Sequence, residues 1–165
     1  MAGVVTGEGE SFAVVCFRED GRWMVELLPE RLTEDVGGLL AAVRGQPSEV
    51  APFALADIGD DFFVAVRPRG MEELLLLSDV TAAAVDDLAR QVCDRLEVDL
   101  PGDDDMEDVW PVGDLDLFDD LGMSSMEMGA LLSDLDAYAD EQLLALARRL
   151  GFGEAFSRVI DVVVR

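Results

Sequence analysis

The residues able to do chemistry are concentrated in one stretch. Asp103, Asp104, Asp105, Asp114, Asp116, Asp119 and Asp120 fall within residues 99–120, which contain ten acids and no base. Clustered carboxylates are what a hard cation such as calcium requires. The spacing opposes that use. Phe118 occupies the fifth position of a loop begun at Asp114, the sixth is not glycine, and Ser125 stands where a bidentate glutamate belongs. A solvated acidic surface is the better reading, and no carboxylate pair is singled out for hydrolysis because acids recur throughout the chain. Cys16 and Cys93 are isolated thiols that form neither a CxxC site nor a disulfide framework. The sequence has no histidine, and all 12 basic residues are arginine. That removes Ser-His and Cys-His relays, imidazole metal ligands, Schiff-base lysines and the lysine of a Walker loop. The expectation is a non-catalytic protein without cofactor or metal.

One serine invites a sharper reading. The segment Asp119-Asp-Leu-Gly-Met-Ser-Ser-Met-Glu-Met128 is similar to the Asp-Leu-Gly-x-Asp-Ser-Leu stretch on which acyl carrier proteins bear phosphopantetheine. Ser125 would be the modified residue, although Ser124 replaces the aspartate before it. The simpler reading is a capping box. In Ser124-x-x-Glu127 the serine oxygen accepts from the N3 amide and the glutamate returns to the cap's own N–H, worth about 1 kcal/mol. Met123, Met126 and Met128 with Leu131 and Leu132 read as helical core, with an adaptable binding face as the alternative. Trp110, between acids and Pro111, is a candidate interface anchor, with core packing as the equal alternative.

A formal charge of -24 repels phosphate backbones, so direct nucleic-acid binding is not expected. It steers the chain toward basic protein surfaces instead. The charge is uneven: residues 1–98 hold 8 arginines against 19 acids, whereas the shorter 99–165 hold 4 against 17. Half the residues are hydrophobic, which places the chain among globular proteins. Met1 to Ser11 lack a signal pattern and no apolar run approaches the roughly 18 residues of a membrane span, so a cytoplasmic location is expected.

The elements that must position these residues follow from periodicity. Residues 1–11 read as a disordered leader. Phe12–Arg18 and Arg22–Leu28 flank Glu19-Asp-Gly21, whose Asp-Gly pair suits a hairpin turn. A helix over about 34–44, capped by Thr33, carries Val36, Leu39, Leu40 and Val43 on one face. A second hairpin joins 52–58 to 62–67, and a fifth strand covers 72–77. A helix starting at Thr81 carries Val85, Leu88, Val92 and Leu96. The order ββαβββα predicts an α+β fold over residues 12–98: a five-stranded, mainly antiparallel sheet with two packed helices. Residues 99–123 form an acidic connector. Residues 124–165 form a C-terminal segment of three short helices packed on the body.

Several blocks taken together carry a family resemblance: Phe12-Ala-Val-Val-Cys-Phe-Arg-Glu-Asp-Gly-Arg-Trp23, Glu26-Leu-Leu-Pro-Glu-Arg-Leu-Thr33, Phe62-Phe-Val-Ala-Val-Arg67, Asp119-Asp-Leu-Gly122, Met126-Glu-Met-Gly129, Asp134-Leu-Asp136 and Arg149-Leu-Gly-Phe-Gly153. Over about residues 12–160 the chain resembles the bacterial tRNA adenosine deaminase-associated proteins. The resemblance implies association with that deaminase and brings no catalytic residues with it. Its expected partner is the tRNA adenosine deaminase or another basic protein, met through Trp110 and the acids of 99–120. A generic homodimerising scaffold is the competing reading, and a carrier using Ser125 a minor one.

Overall fold

The computed structural model describes residues 10–99 and 110–163. Residues 1–9 of the expected leader, and Asp103, Asp104 and Asp105, lie outside them. The chain opens with the hairpin β1 (Phe12–Glu19) and β2 (Arg22–Leu27), followed by α1 (Val36–Arg44). Asp20 and Gly21 both take positive φ, 53° and 74°, as a two-residue turn matched to strand twist demands. Next come β3 (Phe53–Ile58), β4 (Phe62–Arg69), β5 (Glu72–Leu77) and α2 (Asp87–Leu96). The chain closes with β6 (Val112–Gly113), α3 (Ser125–Leu132), α4 (Ala139–Leu150) and α5 (Gly153–Val163).

The sheet has six strands rather than the expected five, in the order β2-β1-β3-β4-β5-β6. Every neighbouring pair is antiparallel. The extra strand comes from the acidic stretch, where Val112 and Gly113 pair with Leu77 and Leu76 of β5. Two residues are too few to show alternation, so periodicity gave no sign of it. Glycine is required at 113: φ is 116°, and a Cβ there would lie 2.1 Å from the Leu75 carbonyl oxygen.

Both faces of the sheet are covered, which explains why β1, β3 and β4 are apolar almost throughout instead of alternating. Ala13, Val15, Phe17, Val64, Val66 and Leu77 face α1 and α2. Phe12, Val14, Phe53, Leu55, Phe63 and Leu76 face Leu117, Phe118 and the helices α3 to α5. Trp23, Phe53, Phe118 and Phe152 form a continuous aromatic cluster in this second layer, with centroids 4.7–5.8 Å apart.

Two helix starts differ in detail from the sequence expectation, and a third agrees with it. Asp35, not Thr33, caps α1 by accepting from Gly38 N at 3.1 Å, while the Thr33 hydroxyl donates to the Glu30 carbonyl within a 3-10 turn. Residues Val80–Ala84 also form a 3-10 turn, and α2 begins only after Asp86, whose carboxylate accepts from Ala89 N at 3.1 Å. Val85 therefore points outward at 86% exposure, and the buried stripe is Leu88, Ala89, Val92 and Cys93. At α3 the Ser124–Glu127 capping box is present with both of its hydrogen bonds.

Candidate functional site

Strand β4 is buried from Phe62 to Pro68, and its sixth residue is an arginine. Arg67 is fully enclosed, with its guanidinium 5.8 Å from the Phe53 ring and 5.6 Å from that of Phe118. A buried cation needs its donors satisfied. Nε donates to the Ala51 carbonyl at 3.0 Å, Nη1 to the Leu117 carbonyl at 2.6 Å, and both terminal nitrogens to the Asp120 carboxylate. Partial burial works against the charge on Asp120. The hydrogen bonds and charge of Arg67, reinforced by Arg69, outweigh it and hold the carboxyl below its ordinary range.

Arg67 thus gathers the acidic segment onto the sheet, and the neighbouring acids extend the grip. Asp119 accepts from Arg69 at 3.3 Å. Asp114 accepts from Leu75 N at 2.9 Å while its own N–H donates to Leu75 O at 2.8 Å, so residue 114 prolongs the β5–β6 ladder. Three of the candidate acids, and Asp120 most firmly, are therefore engaged inward. Asp116 is exposed, and Trp110 is 36% exposed while its carbonyl accepts from Val80 N at 2.9 Å. Met123, Met128 and Leu132 are buried, whereas Met126 is 84% exposed. Ser125 sits exposed at the first position of α3. Among the described residues, no group of three or more metal-ligating side chains converges.

A second carboxylate group escaped the sequence reading. Asp57, 1% exposed on β3, accepts from Asp60 N at 2.9 Å, and Asp60 in turn accepts from Asp140 N at 2.9 Å. The Asp60 carbonyl also accepts from Ala139 N at 3.2 Å, so the β3–β4 turn caps the start of α4. Burial, then the charge of Asp60, push the Asp57 carboxyl up to about 8. Burial also raises Asp60, to about 6, with Asp140 and Glu141 adding repulsion. Asp57 therefore holds its proton at neutral pH. It has no exposed face to offer a substrate and serves the join between β3 and α4. The signal for both buried ionisable groups was a polar residue within an apolar run: Asp57 in Phe53–Ile58, and Arg67 after Phe62-Phe-Val-Ala-Val66.

Residues 11–153 match the Rv3753c-like tRNA adenosine deaminase-associated protein family. The chain belongs to that family. Protein Rv3753c of Mycobacterium tuberculosis (strain ATCC 25618 / H37Rv) is similar to it, 39% identical over 154 residues that cover 92% of this chain and 88% of that protein. No solved structure matches. In this member of the tRNA adenosine deaminase-associated family the matched span takes in all six strands, α1 to α4, and the Arg67–Asp120 pair. No helix among the described residues is long and apolar enough to cross a membrane.

Proposed function

We propose that this protein is a non-catalytic, acidic accessory factor that acts on a tRNA adenosine deaminase by direct protein contact in the cytoplasm. The observation that carries this reading is charge, joined to the family's association with the deaminase. The chain has a formal charge of -24, and Arg44, Arg67, Arg69, Arg90, Arg95, Arg149 and Arg158 are each paired with a carboxylate. An enzyme that grips tRNA does so through a basic surface. An acidic chain is attracted to the same surface, with an association rate that salt suppresses. The chain does not supply the deamination chemistry itself: zinc deaminases take a His/Cys/Cys set with a glutamate acid–base, and this sequence has no histidine.

The contact residues we assign are Trp110 as the anchor, together with Asp116 and, outside the described residues, the acids Asp103, Asp104 and Asp105 that precede it in sequence. Asp114, Asp119 and Asp120 hold the segment against the sheet and present it. Titration calorimetry of the purified deaminase with this protein at low and high salt tests the reading. A complex that forms at low salt and weakens at high salt supports it. No complex under either condition overturns it.

A further inference from the structure

We propose that β2 is a self-association edge: two copies of this chain pair β2 against β2, antiparallel, about a two-fold axis at Met24. The two edges of the sheet differ in kind. The β6 edge is two residues long, Val112 and Gly113, and is preceded by Pro111; a very short strand next to a proline is a usual protection of an exposed edge. The β2 edge is six residues long, in unbroken register with β1, and without proline, lysine or bulge. Such an edge is a template for another strand.

Backbone phase and side chains select the register. Leu28 N donates to Ala13 O at 2.8 Å, so the even-numbered residues of this run point their amides and carbonyls toward β1. Trp23, Val25 and Leu27 point theirs outward. Placing Trp23 opposite Val25 of the second copy joins outward groups on both strands, and it sets Arg22 opposite Glu26 at both ends of the pairing. Met24 then faces Met24. Shifting the register by two residues in either direction sets Arg22 or Glu26 against Met24 and loses both charge pairs.

The surroundings fit a second copy. A groove of about 330 Å³ runs between β2 and α5, lined by Trp23, Val25, Leu27, Val159 and Val162. Leu27 is 50% and Val162 72% exposed. Within the strand and the groove lining the charges are matched, Arg158 being paired with Glu154 and Arg22 balanced by Glu26. The remaining acidic surfaces of two copies repel one another, and salt screens that repulsion. Self-association therefore strengthens with salt, opposite to the deaminase contact, and the two interactions are separable by that sign.

Sedimentation of the full chain over a concentration series, at low and high salt, is the test. A monomer–dimer equilibrium that salt moves to lower concentration is expected. Arg22→Glu and Glu26→Arg, each on an exposed residue, should raise the dissociation constant roughly tenfold, and the double exchange should restore it. Met24→Cys should give a covalent dimer on oxidation, Cys16 and Cys93 being buried. A monomer at every concentration, failure of the double exchange to restore dimer, or no crosslink through position 24 would each overturn the proposal.

Discussion

Asp120 closes over Arg67: a carboxylate 53 positions along the chain accepts both terminal nitrogens of a fully buried guanidinium, with Nη2 to Oδ2 at 3.0 Å. The pair fixes where the acidic segment leaves the sheet, and with it the start of the helical layer that follows. Asp119 makes the same type of contact to Arg69 from the surface.

These two aspartates should behave differently on mutation. Asp120→Asn leaves a buried cation without its counter-charge, although solvent reaching the one-third-exposed carboxylate softens the loss. The expected cost is about 1–3 kcal/mol. Asp119→Asn removes an exposed pair worth less than about 1 kcal/mol. Chemical denaturation of the two variants checks the ranking, and equal costs would contradict it.

Asp57 makes stability depend on pH. Its carboxyl sits at about 8 in the fold against an ordinary value of 3.8. Below pH 3.8 folded and unfolded chains are both protonated there, and the contribution is fully present. As pH rises the unfolded chain ionises first, so this contribution is lost progressively up to about 8. Asp57→Asn keeps an acceptor for Asp60 N and cannot ionise. It should raise stability at pH 7 by on the order of 2–4 kcal/mol and flatten the profile between pH 4 and 8. Denaturant melts across that range measure both effects, and an unchanged slope would contradict the assignment.

Ser124→Ala removes the acceptor that Glu127 N uses at 3.2 Å. A loss of about 1 kcal/mol is expected. Ser125→Ala, one position on, should leave stability unchanged, because that side chain is exposed and takes no part in the capping box. Thermal melts of the pair separate the cap from its neighbour.

Local rules reached the elements whose signals lie within a few residues. The hairpin at Asp20-Gly21, the stripe Val36, Leu39, Leu40 and Val43, and the Ser124–Glu127 box all satisfy their own neighbours. What escaped depends on partners far along the chain. Val112–Gly113 becomes a strand only because Leu76 and Leu77 present a free edge, and Asp60 caps a helix that begins 79 positions later. The acids between 114 and 120 look alike in sequence. The position of Arg67 and Arg69 on β4, and of the Leu75 backbone on β5, separates those that hold the segment from Asp116, which faces solvent.

If the acidic segment docks on a basic surface of the deaminase, as proposed, a charge-neutralised variant weakens the contact. Asp103, Asp104, Asp105 and Asp116 are changed together to asparagine, leaving Asp114, Asp119 and Asp120 to hold the segment. Calorimetric titration into the purified deaminase at low salt should show the dissociation constant raised at least roughly tenfold and a shallower dependence on salt. Wild-type affinity with an unchanged salt dependence would rule out docking through these acids.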